Sequence, residues 1–173
     1  MSEDFEHRLP LNQIRDAARI DLVATEPECR AVAARLDLPA IARLEAHATL
    51  GREGDTVRAT GRVKSALTQS CVATGEPINA HVDEAFDIRF IPAPREGVAE
   101  EIELAPEECD TVFHDGAAIG LGAAIADTLA LALDPYPRSA GADAVLKEAG
   151  VLSEEQAGPF AALAQLKKGM ADE

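Results

Sequence analysis

The feature that most constrains the fold is a series of three segments between residues 41 and 91 in which apolar and polar residues alternate. The pattern runs from Ile41 to Leu50, from Val57 to Lys64 and from Ile78 to Ile91. A period of two over such lengths is typical of strands that bury one face. The sequence therefore predicts a sheet core at about residues 41–91.

Short turn sequences separate these segments. Gly51–Asp55 precedes the second segment, and Thr74-Gly75-Glu76-Pro77 precedes the third. Consecutive strands joined by short turns usually pair antiparallel, so we predict an antiparallel meander that could curl into a barrel. Glu84 interrupts the apolar face of the third segment, which indicates either a bulge or an edge of the sheet.

A long apolar segment at 117–133 predicts one helix packed on this sheet. Ile125, Leu129 and Leu133 follow the i, i+4 spacing of a buried helical face. The segment contains Asp127 and is shorter than a typical membrane span, so we expect it to be buried in the protein.

With short helices flanking the long one, the predicted class is α+β. We expect a single domain over residues 1–138. The remaining residues, 139–173, are predicted to form a helical tail with short pieces around 142–149 and 159–168.

The distribution of charge limits the possible partners. The net charge is −15, the wrong sign for a protein that coats nucleic acid by bulk attraction. Residues 1–64 hold ten basic and eleven acidic side chains, whereas the rest of the chain holds six and twenty. An anionic partner is therefore expected to meet the first third of the chain, unless another protein mediates.

The second alternating segment suggests one such contact surface. If Val57 and Val63 face the core, alternation places basic residues together on the opposite face, and Arg43 on the neighbouring strand could extend the group. A basic sheet face can hold phosphates, although an ordinary solvated face is the simpler interpretation and no aromatic stacking platform is present. The candidates for RNA or phosphate contact are Arg43, Arg58, Arg62 and Lys64.

Two further segments could dock a partner protein. The acidic segment 96–110 is typical of a solvated interaction segment, and the apolar stripe near the C-terminus could pack on the domain or in a partner groove. The residues in question are Glu100, Glu101, Glu103, Glu107 and Glu108 in the first segment, and Phe160, Leu163, Leu166 and Lys167 in the second.

The sequence nominates no catalytic residue and no cofactor. It contains no nucleophile elbow or Walker A loop, and a hydrolase built on the acidic segment would need a concave site that no pattern suggests. Three cysteines without paired spacing and no signal peptide favour a reducing, cytoplasmic location. The alternative from another class is a small metal- or ligand-binding regulatory domain that uses Cys71, Cys109 and His114.

Three landmarks in order resemble a known family. They are Gln69-Ser70-Cys71 followed by Thr74-Gly75-Glu76-Pro77, then Asp134-Pro135-Tyr136-Pro137 after the long helix, and the C-terminal PFAALAQLK at 159–167. Over about residues 8–169 the chain resembles the YceD-like family, the large ribosomal RNA subunit accumulation proteins.

The resemblance implies a non-enzymatic role in synthesis, processing or stability of 23S ribosomal RNA. It also implies a family hairpin carrying Cys71, Gly75 and Pro77, in which relatives often have Cys-x-x-Cys. Here Thr74 stands at the second position, and Arg138-Ser139 stands where relatives can have another Cys or His, so no metal is expected. We expect an adaptor that binds a ribosomal protein or assembly factor, with ribosomal RNA contacted directly or indirectly and neither a membrane nor a small-molecule substrate.

Overall fold

The computed structural model describes residues 5–94 and 110–151. The strands of these ranges are β1 (Arg8–Pro10), β2 (Ala18–Val23), β3 (Ala40–Glu53), β4 (Thr56–Ser70), β5 (Pro77–Pro92), β6 (Thr111–His114) and β7 (Ala118–Gly120). The helices are α1 (Glu26–Arg35), α2 (Leu121–Leu131) and α3 (Ala142–Glu148), with one 3₁₀ turn at Leu11–Gln13.

The predicted meander is confirmed. Strands β2, β3, β4 and β5 pair antiparallel in that order, and β6 joins β5 in parallel, so the five-stranded sheet is mixed. The turn between β3 and β4 is tighter than predicted. Strand β3 ends at Glu53 and β4 begins at Thr56, so the turn consists of Gly54 and Asp55 alone. Gly54 takes a left-handed conformation with φ of 61°.

The sheet is open, so the predicted possibility of a barrel is wrong. Strands β2 and β6 lie at its two ends and do not pair with each other. A separate pair of strands, β1 with β7, and helices α1 and α2 cover the apolar face instead. A closed barrel requires the first and last strands of the sheet to hydrogen-bond to each other. In the described ranges neither β2 nor β6 pairs with a further strand.

The apolar face of the meander is the core, as alternation predicted. Leu44, Val57, Val63 and Phe90 are fully buried. Helix α2 packs on β4 and β5, and its residues Ile125 and Leu129 are also fully buried. Helix α1 packs on β3 at one side of this core. It begins with a capping box in which the Thr25 backbone N–H donates to the Glu28 carboxylate at 2.7 Å.

The predicted helix over 117–133 begins later and ends earlier. Residues Ala118–Gly120 form β7, which pairs antiparallel with β1, and helix α2 starts at Leu121. The first turn of α2 can pack closely against Phe5 and Glu6, just before β1, because residue 122 is glycine. A Cβ there would lie 2.5 Å from the Phe5 carbonyl oxygen.

The described part of the C-terminal segment is helix α3, close to the predicted piece at 142–149. The predicted piece at 159–168 lies outside the described residues, as does the acidic segment up to residue 109. Within the two described ranges, no helix has the length and apolar character needed to cross a membrane.

Candidate interaction surface

The sheet face that points away from the core carries all four predicted phosphate contacts. Alternation along β4 places Arg58, Arg62 and Lys64 on this face, because Val57 and Val63 are buried on the other. Arg43 follows a register irregularity between residues 41 and 43 of β3 and pairs with Ala66, which lies on the same face of β4.

Carboxylates lie between these cations. The Arg58 Nε–H donates to Asp87 Oδ1 at 2.7 Å, and Arg58 Nη2 donates to the other oxygen of the same carboxylate. Arg62 Nε donates to Asp83 Oδ1 at 2.8 Å, and Lys64 Nζ lies 3.6 Å from Asp83 Oδ2. The cations are therefore already paired.

The pairing lowers the pKa of both aspartates. The hydrogen bond from Arg62 lowers the pKa of Asp83, and that from Arg58 lowers the pKa of Asp87. Arg43 is paired too, since its Nε donates to Glu45 Oε2 at 3.0 Å. The Arg58, Arg62 and Lys64 pairs are about half exposed on both sides, so each contributes little to stability.

The strand register brings further charges to this face. Arg19 of β2 lies opposite Thr49, and Arg89 of β5 lies opposite Arg58. In the described part of the chain Arg19 has no ion-pair partner. We call the whole group the mixed-charge face: the basic residues Arg19, Arg43, Arg58, Arg62, Lys64 and Arg89, and the acidic residues Asp21, Glu45, Glu53, Asp83 and Asp87.

Sequence reasoning missed the acidic half of this face. The alternation that put Phe86, Ile88 and Phe90 in the core also put Asp83 and Asp87 outside, so the signal was present. Which cation each aspartate meets depends on the register of β4 and β5, and the sequence pattern alone does not specify it.

The family hairpin lies at the other end of β4. Cys71 is 2% exposed, and its carbonyl oxygen accepts the N–H of Gly75, which has φ of 72°. Pro77 is the first residue of β5 and pairs with Ser70. These three residues shape one tight turn.

The alternative metal set does not form one site. Both ring nitrogens of His114 are hydrogen-bonded: Nε2 donates to the Asp55 carbonyl oxygen at 2.8 Å, and Nδ1 accepts the Gly116 N–H at 3.1 Å. Asp55 precedes β4 and Cys71 follows it, and the 15 residues of β4 separate the two ends by roughly 40–50 Å. Cys71 and His114 therefore cannot hold the same ion, and Cys109 lies outside the described residues.

The charged side chains beside His114 are also paired. A cavity of about 310 Å³ beside β6 and β7 is lined by Arg8, His114 and Asp115 among others. Arg8 pairs with Asp115 at 3.2 Å, and the backbone N–H groups of Ala117 and Ala118 hold the pKa of Asp115 low. Across residues 5–94 and 110–151, no three metal-ligating side chains come together.

The predicted docking residues of the acidic segment and the tail lie outside the described residues, so their geometry stays a prediction. They are Glu100, Glu101, Glu103, Glu107, Glu108, Phe160, Leu163, Leu166 and Lys167.

Fold and surface together define an acidic α+β protein with an open sheet, whose face away from the core combines both signs of charge. The chain belongs to the YceD family, described as large ribosomal RNA subunit accumulation proteins, and the family model matches residues 59–167. That description concerns accumulation of the large-subunit RNA and names no reaction. Comparisons with curated proteins and with solved structures found no match.

Proposed function

We propose that this protein is a non-enzymatic, cytoplasmic ribosome-biogenesis factor that supports 23S ribosomal RNA as an adaptor. It binds a basic ribosomal protein or assembly factor, and its effect on RNA synthesis, processing or stability follows from that contact. Family membership supports the connection to large-subunit RNA.

The pairing on the mixed-charge face supports the adaptor over a direct RNA binder. Each of the four predicted phosphate contacts already has a carboxylate partner. A phosphate would have to compete with that carboxylate and would be repelled by it, so release of counterions from RNA gains little. A basic protein gains from the excess of acidic residues after residue 64.

The experiment compares two charge variants of the tagged full chain. In the first, Glu100, Glu101, Glu103, Glu107 and Glu108 are changed to Gln. In the second, R58S, R62S and K64S are combined. Each variant is used for affinity capture at moderate salt, with and without nuclease, and the captured protein is then tested in purified form.

We expect a basic large-subunit protein or assembly factor to stay bound after nuclease treatment, to bind the purified chain, and to be lost in the Gln variant only. Capture that disappears with nuclease for the unsubstituted chain contradicts the adaptor. So does strong binding of arbitrary RNA by the isolated chain.

Local RNA contact by the mixed-charge face is the second candidate, because Arg19 has no ion-pair partner among the described residues. For this candidate the combination of R19S with R58S, R62S and K64S should lose nuclease-sensitive capture and lower the level of 23S ribosomal RNA in cells. Unchanged capture and an unchanged RNA level would remove it.

A further inference from the structure

Three chain segments meet at the Cys71 sulfur. Strand β4 ends beside it, the turn to β5 wraps around it, and the segment after α2 lies against it. The Ser139 N–H donates to Cys71 Sγ at 3.3 Å. Two neighbouring contacts join the same segments: the Val72 N–H donates to the Pro137 carbonyl oxygen, and Gln69 Nε2 donates to the Asp134 carbonyl oxygen, both at 2.9 Å.

The Ser139 N–H is one of several polar groups that act on the sulfur. The Thr74 hydroxyl and the Ser139 N–H, followed by the Ala73 N–H, lower the pKa of Cys71 to about 6. The Ser139 hydroxyl also lowers this pKa, although it is buried without a hydrogen bond of ordinary geometry. Stabilised as a thiolate, the sulfur accepts charge-assisted hydrogen bonds, which are stronger than neutral ones.

Few other charged groups of the described residues face this turn. The Thr74 hydroxyl lies 3.2 Å from a Glu76 carboxylate oxygen, so Glu76 competes with the sulfur for the same proton donor. Arg138 points toward Asp143, with 3.5 Å between Nη1 and Oδ1.

The residues present do not fit the metal that a Cys-x-x-Cys hairpin implies. Structural zinc is held by thiolates and imidazoles, and this turn offers one thiol with two hydroxyls, those of Thr74 and Ser139. Neutral hydroxyls are poor ligands for a soft site. The Ser139 N–H also points at the sulfur, where a metal would need a lone pair.

We propose that in this chain hydrogen bonds at Cys71, rather than a bound metal, hold the β4–β5 turn to residues 134–142. The proposal does not depend on the proposed function. The proposal about Cys71 predicts that Thr74 and Ser139 lie close enough to the sulfur for cysteines at both positions to create a metal site.

The first test measures amide hydrogen exchange in the full chain. In Cys71→Ala we expect the Ser139 and Val72 amides to exchange about tenfold faster, the effect of losing one strong hydrogen bond. The control is Cys29→Ala, because Cys29 is also buried, on α1, and its thiol lies 4.0 Å from the Ala24 oxygen. Unchanged exchange of both amides in Cys71→Ala overturns the proposal.

If Cys71→Ala fails to fold, Thr74→Val provides the same test with a milder change. It removes one donor to the sulfur and keeps the shape of the side chain. Faster exchange of the Ser139 amide supports the proposal, and unchanged exchange contradicts it.

The second test uses Co²⁺ as a spectroscopic probe for thiolate ligation. The unsubstituted chain should show no thiolate-to-cobalt absorption, and chelator should leave its thermal unfolding unchanged. The combined variant Thr74→Cys and Ser139→Cys should gain that absorption at one ion per chain. Stoichiometric binding by the unsubstituted chain that Cys71→Ala abolishes would overturn the proposal, as would no binding by the combined variant.

Discussion

Gly61 lies at a position in the sheet that has no room for a side chain. It lies on the core side of β4, opposite Ala48 and Phe86. A Cβ at this position would lie 1.9 Å from the His47 carbonyl oxygen and 2.8 Å from Cζ of Phe86. The first contact is with backbone, so a change of side-chain rotamer cannot relieve it.

We therefore expect Gly61→Ala to destabilise the protein by about 2 kcal/mol or more, the cost of overpacking a core. Urea unfolding at equilibrium measures the change through its midpoint, with the slope unchanged. Gly51→Ala is the matched control, because the nearest atom to a Cβ there is Asp16 Oδ1 at 3.8 Å. Equal midpoints for the two variants would contradict the packing argument.

Cys71 gives the stability a pH dependence of defined sign. Its pKa is about 6 in the folded protein against an ordinary value of 9.0, so the folded state binds fewer protons between these values. This contribution to stability is complete above the unfolded pKa and is lost as the pH falls through about 6.

The unfolding midpoint of the unsubstituted chain should exceed that of Cys71→Ala by an amount that grows between about pH 6 and about pH 9. Urea unfolding across this range measures it. Burial raises the pKa of Cys29, so Cys29→Ala should not show the same growth. A difference that is constant with pH would show that the thiolate is not favoured by folding.

At the scale of elements, the free edge of β5 is protected by a charge. Strand β6 pairs only with Arg89–Pro92, and among the described residues no strand pairs with the preceding part of β5 on that side. Glu84 lies on the core side of this edge, opposite Val63, with continuous register. Of the two predicted meanings of Glu84, the edge is confirmed and the bulge is wrong.

An inward-pointing charge discourages edge-to-edge pairing of sheets. Glu84→Val should therefore make the chain self-associate with increasing concentration, as sedimentation or light scattering can measure. Ala85→Val is the control, because it introduces the same side chain at the neighbouring position, which lies on the exposed face of the sheet. Identical oligomeric states of Glu84→Val and the unsubstituted chain would contradict a protective role.

The long strands were predictable because their cause is local. Alternation alone assigned Leu44, Val63 and Phe90 to the core, and all three are fully buried. Strand β7 was not predictable, since it exists through pairing with β1, more than a hundred residues earlier in the chain. Such a contact leaves no periodic signal, and helical composition around Ala118 suggested a helix instead.

The same limit applies to the candidate surface. The basic residues of β4 could be placed on one face from their spacing, but their aspartate partners required the register of β5. The family match begins at residue 59, so Arg43 and Arg58 lie outside it, and so do strands β2 and β3. Family membership therefore bears on the hairpin and on helices α2 and α3 more than on the upstream half of the mixed-charge face.

At the scale of the whole molecule, the excess of acidic residues opposes folding through repulsion, while the ion pairs of the mixed-charge face favour it. The two effects respond to salt with opposite sign, because screening weakens both attraction and repulsion. The ion pairs are exposed and contribute little individually, whereas the net charge is −15. Repulsion should therefore dominate.

We expect the thermal unfolding midpoint to rise by roughly 2–4 °C between about 10 and about 150 mM KCl, as the Debye length falls from ~30 to ~8 Å. Differential scanning calorimetry at constant pH measures the shift. The variant R58S, R62S and K64S has a still larger net negative charge and lacks the paired cations, so its midpoint should rise more steeply with salt. A midpoint that falls with salt would show that the ion pairs of the mixed-charge face outweigh the repulsion of the acidic residues.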